Sequence, residues 1–343
     1  MSRKAGKAQR LESRIYPSLR FNNPTNERLQ FAKQLNVSHI IVHPYAQSYL
    51  PDEELPLSTD SKWSFEELLH LRNFIEERGF TFGAIENLPL SFYDDIMLGQ
   101  DGREKQLENV KATIQNMGRA GITTLGYNWM PNRVWRSSLN RPGRGGATST
   151  AFDMEDMEQA PLTHDREYPE SEIWENYRYF LEEVLPVAEE EGVTLALHPD
   201  DPPVSSLGGI ARLFRNFENL RRAMEVVSSD NHKIQLALGV LSEMDSEMEV
   251  REMVDFFVQR NKVSYVHFRD VKNHVPSFQE VFIDEGNYDE YEVLETLIEG
   301  GFEGMVIPDH VPKMAGEADW GPSGRAFTIG YIRGMLRAAE NAD

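Results

Sequence analysis

Cysteine is absent from this chain of 343 residues. That excludes a disulfide framework and a thiolate metal site. It also fits a reducing compartment, so a cytoplasmic protein is expected. Positive charge is scarce: 35 Lys and Arg stand against 56 Asp and Glu, a formal net charge of −21. A nucleic-acid partner is not expected, because phosphate binding needs a basic face. Long apolar runs are missing too. No stretch approaches the roughly 20 residues that a membrane span requires, so no membrane partner is expected. Residues Met1 to Arg14 are basic and polar and lack an apolar segment. They do not read as a secretory signal and are expected to be a mobile tail. No GxGxxG follows the first strand and there is no Walker A motif, which counts against nucleotide-binding folds.

What is present alternates. Apolar residues make up 40% of the chain, enough for a large core. Short β-branched runs at Tyr16–Phe21, Val37–His43, Phe80–Glu86, Ile122–Asn128, Val193–His198, Lys233–Gly239, Val263–Phe268 and Gly304–Ile307 read as strands. Between them the 3.6-residue period predicts helices from about Pro24 to Leu35, Ser64 to Gly79, Gly102 to Arg119, Glu172 to Glu191, Gly209 to Val227, Ser246 to Gln259, Tyr288 to Glu299 and Gly324 to Ala339. Ser64 with Glu67 has the spacing of a capping box. About eight β/α units of this length predict a single α/β domain over residues 15–343, a (β/α)8 TIM barrel. The segment from about 132 to 169 reads as a long irregular loop, a lid or binding loop, with disorder as the alternative.

The most informative stretch is Leu197–His198–Pro199–Asp200–Asp201–Pro202–Pro203, where an apolar strand ends on a histidine and two aspartates stiffened by prolines. Alone it is equally an Asp-Pro turn. Two later strands also end on polar groups, at His267–Phe268–Arg269–Asp270 and at Pro308–Asp309–His310. In a barrel all strand C-termini share one face. That face would gather Glu86, Asn128, His198, Asp200, His267, Asp309 and His310. Two histidines and a carboxylate suit Mn²⁺, Fe²⁺, Zn²⁺ or Co²⁺. Each residue also has a plainer role open to it: the histidines in core hydrogen bonds, Asp309 as a loop cap. His43 sits at a strand end as well, whereas His39, His70, His164, His232 and His274 read as surface or structural. Arg133, Arg136, Arg141 and Arg144 lie in the long loop, and Arg269 follows His267. An arginine fork can clamp a substrate carboxylate, and Arg269 is the best placed of these.

Several of these pieces occur together, in order, with Gly102–Arg103–Glu104–Lys105–Gln106–Leu107–Glu108–Asn109, Gly118–Arg119–Ala120–Gly121–Ile122 and Tyr127–Asn128–Trp129–Met130–Pro131. From about Val37 onward the chain resembles the D-mannonate dehydratase family, metal-dependent lyases with a barrel of the xylose-isomerase type. The resemblance implies His198, His267 and Asp309 as ligands of a divalent cation, Mn²⁺ first, with Fe²⁺, Co²⁺ or Zn²⁺ as alternatives. It implies His310 as an acid/base group, and Asn128 and the loop arginines as substrate contacts. Two departures stand out. The family's cysteine ligand falls at Ala237, and Asp319–Trp320–Gly321–Pro322–Ser323 lacks the tyrosine expected after Asp309–His310. Gln235, of the same strand parity as Ala237, or Glu243 beyond the strand could reach into the gap.

The expectation is therefore a hydro-lyase that dehydrates a sugar acid, D-mannonate to 2-keto-3-deoxygluconate or a related aldonate, by β-elimination of water. The expected catalytic residues are His310, Asp309 and Arg269, and the expected substrate contacts are Asn128, Arg133, Arg136, Asp200 and Glu86. The alternatives are a sugar isomerase or epimerase on the same barrel, or a relative that binds a sugar acid without turnover. The partner is a small sugar acid, with association into a homo-oligomer left open.

Overall fold

The computed structural model describes residues 14–44, 57–58, 61–318 and 320–342. All but Arg14 of the tail expected over residues 1–14, and most of the segment from 45 to 60, lie outside the described residues.

One parallel sheet closes on itself as the expected (β/α)8 barrel. Its first strand, β1, is split at Ser18 into Ile15–Pro17 and Leu19–Phe21. Then come β2 (His39–Val42), β3 (Thr81–Ile85), β4 (Thr124–Tyr127), β5 (Thr194–Leu197), β6 (His232–Ala237), β7 (Val263–Phe268) and β8 (Gly304–Pro308). The two halves of β1 complete the ring. Ile15 lies opposite Gly304 of β8, and Leu19 lies opposite Ile40 of β2. The helices are α1 (Asn26–Gln34), α2 (Phe65–Glu76), α3 (Arg103–Arg119), α4 (Glu170–Glu190), α5 (Phe217–Glu225), α6 (Val250–Val258), α7 (Glu290–Glu299) and α8 (Pro322–Ala342). The Ser64–Glu67 capping box forms at the start of α2, satisfying two amide groups that the helix cannot bond itself.

Side chains of a strand alternate between two faces. Leu195 and Leu197 of β5 face outward into the large apolar layer beneath the helices, while Ala196 faces the barrel axis. Ile41, Ala84, Ala196, Tyr265, Met305 and Ile307 together plug the interior. Ile41 and Ile307 are fully buried there, each contributing about 1.5–3 kcal/mol. Gly126 belongs to the same inward register, and a Cβ on it would lie 2.6 Å from the Tyr265 hydroxyl. A glycine at 126 thus lets Tyr265 cross the interior and donate to Gln235 Oε1 at 2.9 Å.

Two segments differ from expectation. The stretch from 132 to 169 is not wholly irregular. It carries the strands Ser138–Pro142 and Thr148–Asp153, which join Ser277–Glu280 and Val271–Lys272 in a four-stranded antiparallel sheet beside the barrel mouth. Ser138–Pro142 buries none of its side chains fully, so no apolar alternation marks it, and its partner Thr148–Asp153 is held in turn by Ser277–Glu280 from far along the chain. The helix expected from Gly209 begins only at Phe217. Gly208 and Gly209 adopt positive φ, 51° and 83°, and turn a small hairpin between Ser206–Leu207 and Ile210–Ala211.

Candidate active site

The inward register that fills the barrel also supplies its mouth. Two residues beyond Ala84, Ala196, Tyr265 and Ile307 stand Glu86, His198, His267 and Asp309, and Arg20, His43 and Asn128 follow Ser18, Ile41 and Gly126 in the same way. Seven of the eight strands thus end on a polar group at the C-terminal face, and β6 ends on Ala237.

His267 occupies the centre. Its Nε2 lies 2.8 Å from Glu86 Oε2 and its Nδ1 lies 3.5 Å from Asp309 Oδ2. Gln235 packs against the same ring. Burial alone would lower the His267 pKa, but the two carboxylates outweigh it and push it up to about 8. Arg20 bridges the same carboxylates, 2.6 Å from Glu86 Oε1 and 3.2 Å from Asp309 Oδ1. Burial would raise both carboxyls. His267 and Arg20 hold Glu86 well below its usual range, and His310, His267 and Arg20 do the same for Asp309.

His198 is the opposite case. Burial, reinforced by the charge on His267, lowers it to about 4. Its Nδ1 lies 2.6 Å from the Pro199 carbonyl oxygen. A carbonyl only accepts, so Nδ1 carries the proton and Nε2 is an acceptor.

A second cluster flanks the first. Arg136 donates to both oxygens of Asp201 and, at 2.8 Å, to Glu280. Arg269 reaches Glu243 at 3.0 Å, Asp309 at 3.2 Å and Asp201 at 3.3 Å, and it also donates to Glu280. Glu280 Oε1 lies 2.6 Å from His310 Nδ1. Burial would raise Glu280, but His310, Arg136 and Arg269 hold it well below the usual range. An ionised Glu280 can only accept, so His310 donates through Nδ1 and presents Nε2 outward. Glu243 is pushed well above its usual range by burial and by Asp201, against the pull of Arg269 and Arg136. Four cations, Arg20, Arg136, Arg269 and His267, thus face four ionised carboxylates, Glu86, Asp201, Glu280 and Asp309.

These groups border a cavity of about 560 Å³, lined among others by Glu86, Asn87, Asn128, Arg133, His198, Asp201, Asp309 and His310. The structure therefore brings most of the expected site residues to one place. Arg136 and Arg269 sit behind its wall, engaged by carboxylates, so they position other groups and do not clamp a ligand. His267 is below the floor, 1% exposed. Asp200 is not at the cavity. It is fully buried, accepting from the Phe214 N–H and paired with Arg212, and Asp201 takes its place on the wall. Arg20, Asp201 and Glu280 had not been picked out from the sequence. Arg20 was within reach of the strand-parity argument, whereas Glu280 lies in a segment with no periodic signal.

The expected cation site is not formed. Among the described residues no three His, Asp or Glu side chains are arranged to hold a metal ion. Asp309 is held by Arg20 and Arg269, His267 by Glu86 and Gln235, and Ala237 supplies no donor atom. As placed, the residues do not fit a divalent metal, because the charge it would neutralise is already neutralised by arginines.

Comparison with known proteins gives a consistent result. The family model described as D-mannonate dehydratase (UxuA) matches residues 53–165 and 159–343. A protein of Streptococcus suis (strain 05ZYH33) named mannonate dehydratase is 30% identical over 311 residues, 82% of this chain and 84% of its own. One of Halalkalibacterium halodurans named mannonate dehydratase 2 is 31% identical over 314 residues, 81% of this chain and 88% of its own. The crystal structure of mannonate dehydratase from Streptococcus suis serotype 2 superposes with a TM-score of 0.83 at 27% identity, covering 96% of this chain and 95% of that one. An L-ribulose 3-epimerase shares only the fold, with a TM-score of 0.57 at 13% identity, over 96% of both chains.

Proposed function

The chain belongs to the D-mannonate dehydratase family, and from that premise we propose that it removes water from a sugar acid, D-mannonate first, by β-elimination. The observation that carries this reading is the His310–Glu280 pair, 2.6 Å apart, with His310 on the cavity wall and its Nε2 left at 3.8 Å from Asp309 Oδ1.

A carboxylate entering the cavity meets the cationic side of Arg20 and Arg133. Asn87 Oδ1, buried with no hydrogen-bond partner, and the acceptor Nε2 of neutral His198 suit the hydroxyls of a polyol. His310 Nε2 takes the proton from the carbon beside the carboxylate. The electrons form a double bond as the neighbouring C–O bond breaks. The protonated imidazole, steadied by Glu280, returns that proton to the departing hydroxyl, which leaves as water. The enol that remains becomes the 2-keto-3-deoxy acid. Proton transfer of this kind contributes about 10²–10⁴-fold. No step is assigned to a cation, because the donor set does not make a holder for one.

The test is incubation of the purified protein with D-mannonate and assay of the keto-deoxy acid. Product is expected, with kcat reduced about 10²–10⁴-fold in His310→Asn at a nearly unchanged KM. An isomeric sugar acid formed without loss of water would move the reading to isomerase or epimerase. Saturable binding with no product would move it to a binding protein.

A further inference from the structure

A second cavity, about 540 Å³, lies on the other side of Arg20, Asn22, Asp309 and His310, which border both. Each cavity alone is within the range of about 300–1,000 Å³ that ligand sites occupy.

The charge of this second space runs against that of the chain. Its walls carry Arg28, Lys313 and Arg325 in addition to Arg20, in a protein with a net charge of −21. Of the two carboxylates on the same walls, Glu280 is matched by Arg136 and Arg269 from outside the cavity, and Asp309 by Arg269 and by Arg20 of the wall itself. Two of the cations are held in place. The Arg28 guanidinium lies over the Trp320 ring at 5.7 Å and donates to the Asn23 carbonyl. Arg325 donates to the main-chain carbonyls of Trp320 at 2.9 Å and Asp309 at 3.2 Å, and no carboxylate pairs with it among the described residues. Asp309 and, more weakly, Glu317 are the acids acting on Arg325; Asp309 is matched by Arg20 and Arg269, and the Glu317 oxygens already accept from the Met314 and Ser323 N–H groups. Thr148 and Thr150 add hydroxyls to the wall.

We infer that this second cavity is a subsite for an anionic group at the far end of the sugar acid whose reacting end occupies the first. A chain that spans both cavities passes His310, so the substrate class is an aldonate bearing a terminal phosphate or a second carboxylate. The inference rests on the proposed function for which end reacts, but binding at the subsite is measurable without turnover.

The test compares D-mannonate, its 6-phosphate and D-mannarate by calorimetry on the purified full chain, with product assayed in parallel. A terminal anion should lower Kd at least about tenfold, which corresponds to about 1.4 kcal/mol. Lys313→Glu, a change at an exposed side chain, should bring the ratio toward one, and Lys313→Ala should do so in part. Preference for the phosphate identifies a phosphorylated substrate, and preference for the dicarboxylate identifies an aldarate. Equal affinity for all three, or a ratio unchanged in both variants, overturns the subsite. A retained anion preference with no keto-deoxy product from any of the three overturns the dehydratase reading and leaves the subsite standing.

Discussion

Glu86→Gln tests the charge arrangement at the barrel mouth directly. The carboxylate lies 2.8 Å from His267 and 2.6 Å from Arg20, and all three side chains are largely buried. His267 titrates at about 8 in the folded protein. Against the ordinary value of about 6.5, at about 1.36 kcal/mol per unit, the protonated ring adds about 2 kcal/mol to stability. Because the folded value is the higher one, this stabilisation is complete below about pH 6.5 and disappears as the pH rises through 8. Equilibrium denaturant unfolding at pH 6 and pH 9 measures it. For a chain of 343 residues, 2 kcal/mol corresponds to about 3 °C in Tm. Asp270 and Glu290, pushed up to about 6 and about 7 by burial, titrate in the same window. Their contributions are common to wild type and variant and cancel in the difference. With glutamine at 86, only Asp309, at 3.5 Å, remains to favour the charged ring, so more than half of the pH-dependent loss should vanish. Arg20 would also lose a buried partner, a pH-independent cost of about 3–5 kcal/mol. Equal pH slopes in the two proteins would refute the assignment of a protonated His267 held by Glu86.

Other expectations concern the corrected residues. Asp200→Ala removes a fully buried partner of Arg212 and the acceptor for the Phe214 N–H, so unfolding free energy should fall by about 3–5 kcal/mol. KM for the sugar acid should be unchanged in the fraction that remains folded. A raised KM at unchanged stability would make Asp200 a substrate contact. Elemental analysis should find Mn²⁺, Fe²⁺, Co²⁺ and Zn²⁺ far below one per chain, and dialysis against a chelator should leave Tm and product formation where they were. Stoichiometric metal, with both properties lost on chelation, would mean that His198, His267 and Asp309 rearrange to hold a cation.

The contrast between Asp200 and Asp201 marks where sequence stopped being sufficient. Strand parity is a local property, and it carries from Ala196 to His198 because β5 is still extended there. At Pro199 the chain leaves the strand, parity no longer predicts direction, and the Asp200 carboxylate turns to the Phe214 N–H. For the same reason Glu86, Asn128, His267 and Asp309 were legible, since Glu86, Asn128 and Asp309 each follow an apolar strand by one residue and His267 is the last but one of its strand. Glu280 was not. It reaches His310 only because the antiparallel sheet beside the mouth pairs Ser277–Glu280 with Thr148–Asp153, a contact between segments more than 120 residues apart. The ionic state was hidden as well. Two histidines and an aspartate read as a metal site when counted by type, and their chemistry changes once Arg20, Arg136 and Arg269 are seen among them. Arg20 lies in a split first strand, and Arg136 in a segment read as loop. An arginine brought within 3.2 Å of Asp309 offsets the charge of the carboxylate, while Asp309 Oδ1 is left without a hydrogen bond among the described residues. Whether such a site takes a metal therefore depends on its cations as much as on its donors.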